Sequence, residues 1–176
     1  MVPEAVVTLL REFHDRMTAQ IFACGGTVEK YIGDEILAVF GVPETSANDA
    51  LNALTCAGMM LKALDRWNDQ RGEHGEPPLS VGIGLNYGPA VLGDVGSEHS
   101  MAFSVIGDTV NTASRLQALT RTLETPLVVG DALVKAVKAS PGAIGLLDNL
   151  REEGEQNLRG RSEPVRIWTA HTMQPH

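Results

Sequence analysis

Apolar positions fall into blocks of changing period along the chain. Val2, Val6, Leu9, Leu10, Phe13, Met17 and Ile21 recur at helical spacing, and Gly25-Gly26 stops the helix they predict. Thr27 to Ile32, a Gly33-Asp34 turn and Glu35 to Phe40 then predict a β-hairpin with a buried second arm, ended by Gly41 and Pro43. Ser46 and Asp49 suit a variant capping box. The long helix behind them carries Ala50, Ala53, Leu54, Ala57, Met60, Leu61, Leu64 and Trp67 on one stripe. Arg71 to Pro78 reads as a polar loop and Leu79 to Leu85 as a strand. Gly88-Pro89 turns the chain, Ala90-Val91-Leu92 returns, and after a loop from Gly93 to Ser100 another strand runs from Met101 to Ile106. Asp108 is placed to cap a helix reaching about Leu123. A short strand Leu127-Val128-Val129 and a helix from Asp131 to Ala139 follow. Two closing strands, Ile144 to Arg151 and Val165 to Ala170, are joined by the polar loop Glu152 to Pro164. Helices alternating with hairpins predict a single α+β domain, a sandwich in which helices cover one mostly antiparallel sheet.

Composition narrows the function classes. The 176 residues are 43% apolar and 20% charged, the balance of a globular domain. The net charge of −8 speaks against wrapping a nucleic-acid polymer or docking on an anionic membrane, but not against a small phosphate ligand held by a few local cations or a metal ion. Cys24 and Cys56 form no CxxC and have no zinc-spaced neighbours, so they read as core residues of a reducing, cytoplasmic compartment. No apolar run approaches a membrane span, and Met1-Val2-Pro3-Glu4 does not open a signal peptide.

Three segments hold candidate chemistry. In Lys30-Tyr31-Ile32-Gly33-Asp34 a carboxylate sits on a tight turn, held by strands yet exposed, which suits a hard cation such as Mg²⁺. Gly-Asp is also an ordinary hairpin turn, and Lys30 taken alone an ordinary surface lysine. In Gly107-Asp108-Thr109-Val110-Asn111-Thr112-Ala113-Ser114-Arg115-Leu116, Asn111 and Arg115 are four apart and share a face near a helix start. An amide and a guanidinium beside the positive end of a helix can hold phosphates; equally, they can be surface residues of an amphipathic helix. In Leu158-Arg159-Gly160-Arg161 two arginines on a glycine loop can reach a phosphate or simply be solvated. The glycines at 82, 84, 88, 93 and 96 read as hairpin glycines, and with no Gly-Lys-Ser/Thr after them a Walker-type phosphate loop is disfavoured.

Order and spacing together say more than each motif. The segments GGTVEKYIGDEILAVFGVP (25–43) and VGIGLNYGPAVLGDVGSEHSMAFSVIGDTVNTASRL (81–116), with Leu158-Arg159-Gly160-Arg161 and Pro164-Val165 behind them, resemble class III adenylate/guanylate cyclase catalytic domains over essentially the whole chain. The resemblance implies a ferredoxin-like α+β sandwich acting as a head-to-tail homodimer, with active sites in the interface and two Mg²⁺ or Mn²⁺ ions per site. Asp34 matches the hairpin metal aspartate of the family. Lys30 matches the lysine that reads adenine, where guanylate cyclases usually carry glutamate. Ser104 falls where many adenylate cyclases have an aspartate accepting from the adenine amino group; a serine oxygen accepts that bond less selectively. Asn111 and Arg115 match the pair that orients the ribose and stabilises the transition state, and Arg159 the cation on the terminal phosphates.

One element of the family pattern has no match. The first strand, with a second metal aspartate in a Phe-x-Asp-x-x-Gly-Phe-Thr-like segment, is missing; the chain opens in what resembles the following helix, and Met1 resembles an internal methionine of a longer protein. Glu35 is not a substitute, because as the strand neighbour of Asp34 it points to the opposite face. The resulting expectation is an adenylate cyclase domain converting ATP to 3′,5′-cyclic AMP and pyrophosphate, weak or inactive as this polypeptide alone. The alternative is a non-catalytic dimerising or regulatory module. A guanylate cyclase ranks behind both. So does a diguanylate cyclase, faintly echoed in Ile32-Gly33-Asp34-Glu35-Ile36 but opposed by Val110-Asn111 and Arg115.

Overall fold

A computed structural model of the chain describes residues 3–94, 103–140, 142–143 and 145–170. Two compact units divide it, Met1–Ser80 and Val81–His176.

The first unit contains α1 (Pro3–Ala23), β1 (Thr27–Ile32), β2 (Glu35–Val39) and α2 (Asp49–Glu73). The apolar stripes named above bring the two helices together: Met17 and Ile21 of α1 and Ala50, Ala53, Leu54, Ala57, Leu64 and Trp67 of α2 are buried, whereas Met60 and Leu61 stay half-buried. β1 and β2 pair antiparallel, with Ile32 opposite Glu35 across the Gly33-Asp34 turn and a register slip between Val28 and Lys30. The second arm is half-buried rather than buried. At α2 only part of the expected capping box forms. The Ser46 amide donates to Asp49 Oδ2 (2.7 Å), but the Ser46 hydroxyl also turns to Asp49, at Oδ1 (2.8 Å), and Asn48 occupies the cap. The far end of α2 runs three residues into the expected loop, because Arg71 is buried and donates to Pro77 O (3.0 Å) while pairing with Glu76 (2.7 Å).

The second unit contains β3 (Ile83–Leu85), β4 (Val91–Asp94), β5 (Phe103–Ile106), α3 (Asp108–Thr122), β6 (Leu127–Gly130), α4 (Asp131–Ala139), β7 (Leu150–Gln156) and β8 (Val165–Ala170). Its main sheet has the order β3-β6-β8-β7. β3 and β6 run parallel, and the other neighbours antiparallel. β4 and β5 form a separate antiparallel ribbon. Four of the five strand pairs among the described residues are thus antiparallel, and the α+β class expected from the pattern is what forms. Leu116, Val128, Leu158 and Ile167 make a core between α3 and the sheet, with Leu119, Leu123 and Val165 against it.

Several boundaries differ from the pattern. The strand expected over Leu79–Leu85 shrinks to its last three residues. The amide of Asn68 takes both backbone groups of Leu79, at 2.8 Å each, and so replaces a strand partner there. The strand expected over 144–151 lies six residues later. Leu150–Gln156 is an edge strand with Arg151, Glu152, Glu153 and Glu155 exposed, a charged sequence suited to an unpaired edge. Most of the loop expected over 93–100, and the start of the strand expected from Met101, lie outside the described residues, as does Ile144.

Candidate active site

The candidate residues are carried by both units. In the first, Asp34 is exposed on the two-residue turn that joins β1 to β2. Lys30 precedes it on β1, its Nζ 3.4 Å from Glu29 Oε1. Adjacent strand residues ordinarily face opposite sides, but the slip between Val28 and Lys30 is a β-bulge, which re-aims side chains and lets these two meet. The Lys30 side chain is 43% exposed and that of Glu29 7%, so the bulge sets a buried carboxylate under an accessible ammonium. Nothing in the pattern points to Glu29, because a bulge has no signature in a strand of ordinary composition.

In the second unit Ser104 lies half-buried on β5, Asn111 is exposed on α3, and Arg115 is half-buried one turn further on. The Nη1 of Arg115 is fully buried and has no hydrogen-bond partner among the described residues. A buried guanidinium N–H without an acceptor is costly, and the cost disappears when an anion supplies one. Gly107 rather than Asp108 occupies the cap position of α3, and no side chain caps it. Asp108, expected as the cap, is instead the first helical residue, and its carboxylate accepts from Arg161 Nη1 (2.5 Å). The start of α3 is held further by Asn86, whose Nδ2 donates to Thr109 O (3.2 Å), and by the Thr109 hydroxyl, which donates to Pro89 O (2.7 Å).

Glycines 82 and 84 do not serve a hairpin. A Cβ at Gly84 would stand 2.3 Å from Ala113 O and from Gln117 N, so β3 packs backbone to backbone against α3 and fixes the helix that carries Asn111 and Arg115. Leu158 to Arg161 form a tight turn closed by the Arg161 amide on Leu158 O (3.0 Å), with Gly160 at φ +76° in its third position. Arg159 is exposed at its tip. Arg161, read from sequence as a second phosphate cation, is spent on Asp108 and on the Thr112 hydroxyl (2.8 Å).

Among the described residues no three His, Cys, Asp or Glu side chains gather as a metal site. The exposed carboxylate of Asp34 fits one place in the shell of a hard cation whose other ligands are substrate oxygens and water. No helix among the described residues is long and apolar enough to cross a membrane.

A mixed α+β fold with a Gly-Asp hairpin, an Asn/Arg helix start and a basic closing turn defines a class of nucleotide-processing domain, and comparison with known proteins identifies it. The chain belongs to the adenylate and guanylate cyclase catalytic domain family, whose model matches residues 1–168. It is 32% identical over 173 residues to an adenylate cyclase of Anabaena cylindrica, covering 96% of this chain and 32% of that protein. It is 29% identical over 166 residues to adenylate cyclase 1 of Rhizobium meliloti, covering 94% and 24% respectively. The chain therefore spans about a third or less of these relatives. Among solved structures it superposes on the guanylyl cyclase Cya2 with a TM-score of 0.78 at 31% identity, covering 97% of this chain and 82% of that one. On the adenylyl cyclase CyaB of P. aeruginosa the TM-score is 0.82 at 26% identity, covering 99% and 86%. The fold is the ferredoxin-like α+β fold of the class III cyclases.

Proposed function

We propose that the two units form one catalytic domain, an adenylate cyclase that converts ATP to 3′,5′-cyclic AMP and pyrophosphate. The observation that carries the reading is the buried Nη1 of Arg115, without a partner among the described residues, one helical turn from Asn111. In the reaction the ribose 3′-oxygen attacks the α-phosphorus, the bond from that phosphorus to the bridging oxygen of the β-phosphate breaks, and the 3′-hydroxyl proton is released. Arg115 is placed to meet the charge that builds on the α-phosphoryl oxygens, and Asn111 to orient the ribose. Arg159 reaches the terminal phosphates. Two Mg²⁺ or Mn²⁺ ions, with Asp34 as one ligand, would lower the pKa of the 3′-hydroxyl and screen the developing charge.

Base choice falls to Lys30 and Ser104. An ammonium donates to N1 of adenine, whereas guanine presents an N–H there. Ser104 accepts from the adenine amino group and can also donate, so discrimination rests on Lys30. The likeness to proteins named adenylate cyclase in Anabaena and Rhizobium supports the choice of ATP, while the likeness to Cya2 keeps GTP as the competing substrate to test. A homodimer with the site shared between copies, acting in the cytoplasm, completes the reading. A second reading is a dimerising module in which the same residues bind nucleotide without turnover.

The test is cyclic AMP formation with Mn²⁺, measured by mass spectrometry. Slow turnover is expected from this polypeptide alone, and faster turnover when a first-strand aspartate segment of the family is joined ahead of it. In that extended form Arg115→Ala lowers kcat by roughly 10²–10³-fold, the cost of removing one preorganised donor. No cyclic nucleotide from the extended form selects the second reading.

A further inference from the structure

The proposed chemistry gives Arg161 no task. Its Nη1 lies 2.5 Å from Asp108 Oδ2 and 2.8 Å from Thr112 Oγ1, and its side chain is 27% exposed. Asp108, Thr112 and Arg115 are spaced four and three apart and so line one stripe of α3. The turn that carries Arg161 is pinned at its other end by Leu158, part of the core with Leu116 and Ile167. Between the two anchors Gly160 lies against Arg115, since a Cβ there would stand 3.3 Å from Arg115 Nη2.

We propose that Arg161 is a positioning residue: clamped on Asp108 and Thr112, it fixes the 158–161 turn along α3 and, through Gly160, holds the Arg115 guanidinium in the orientation that receives phosphate. This deepens the cyclase reading and rests on it for the role of Arg115. Charge supports the assignment. Asp108 neutralises Arg161, so one guanidinium on this stripe keeps its positive charge for an anion. The pair contributes little to stability, because Asp108 is 63% exposed and such ion pairs are screened; what it supplies is geometry. Thr112, 1% exposed, gives the clamp its second acceptor.

The experiment compares Arg161→Met, Arg161→Lys and Thr112→Val, with Arg115→Ala as reference. The first readout is the Arg115 Nε–H signal in a ¹⁵N-correlated spectrum of the 176-residue protein, assigned by its loss in Arg115→Ala. The signal is expected to shift or broaden in Arg161→Met, less so in Thr112→Val, and to move back towards its original position in Arg161→Lys. The second readout is kinetics of the extended form with ATP and Mn²⁺. Arg161→Met is expected to lower kcat about tenfold with KM within about twofold, and to cost less than about twofold further when Arg115 is already Ala. An Arg115 signal unchanged in Arg161→Met overturns the proposal. So does a raised KM with costs that multiply in the double variant, the mark of an arginine that contacts phosphate itself. If Arg161→Met does not fold, Thr112→Val decides by the same spectrum. An extended form silent towards ATP overturns the cyclase reading, and the Arg115 signal of the 176-residue protein then decides the positioning by itself.

Discussion

A methyl group added at position 84 meets backbone atoms, Ala113 O and Gln117 N, that have no rotamer to escape into. Gly84→Ala is therefore expected to destabilise by about 1–3 kcal/mol or more, read as a lowered thermal midpoint, and to displace α3 with its Asn111 and Arg115. The cysteines carry a different prediction. Burial first, then the Cys24 thiol beside it, pushes Cys56 up from its ordinary 9.0 to about 12. In the folded protein at pH 8, iodoacetamide is expected to label half-buried Cys24 well ahead of Cys56, as peptide mass spectrometry would show. A folded value above the unfolded one stabilises below pH 9.0, and that contribution is lost as pH rises from there towards about 12. At this scale the sequence revealed Lys30, Asp34, Asn111 and Arg115 as candidates because each sits in a patterned turn or helix start. Of their neighbours, Glu29 was not singled out, and Arg161 was legible as a phosphate cation but not as the partner of Asp108. One depends on a bulge, and the other on an ion pair spanning 53 residues of chain.

Elements with an apolar stripe were legible, and those without were not. The four helices among the described residues and the first hairpin lie close to where periodicity puts them. β7 escaped because an edge strand needs partners on one side only and can be nearly all charge, whereas Leu79–Gly82 alternates like a strand but finds Asn68 instead of a ladder. α4 shows how a short helix is held. Asp131, its first residue, pairs with Lys135 (2.8 Å) and accepts from Trp168 Nε1 (3.1 Å) on β8. The hydrogen bond from Lys135 and then that from Trp168 outweigh burial, and the carboxyl is held below its ordinary 3.8. The lowered value means the stabilisation is complete above pH 3.8 and lost as pH falls through the folded value. Asp131→Asn is expected to reduce stability near neutral pH by about 1 kcal/mol and to flatten the acid limb of the unfolding curve, measured by urea denaturation across pH.

For the whole molecule, the proposed chemistry needs both Lys30 and Asp34 of the hairpin and Asn111 and Arg115 of α3. If Lys30 reads the base, Lys30→Glu in the extended form lowers turnover of ATP and raises the relative turnover of GTP; the switch stays incomplete because Ser104 tolerates both bases. An unchanged ATP/GTP ratio would remove Lys30 from base recognition. The most direct measurement of the central claim, that two copies share each site, is complementation between two disabled variants. Asp34→Asn and Arg115→Ala, each nearly inactive alone in the extended form, are mixed and allowed to exchange subunits. Half of the dimers are then mixed, each with one intact site, so cyclic AMP formation is predicted to return to about a quarter of the undamaged rate. A mixture that stays silent after mass spectrometry has confirmed mixed dimers would contradict the account.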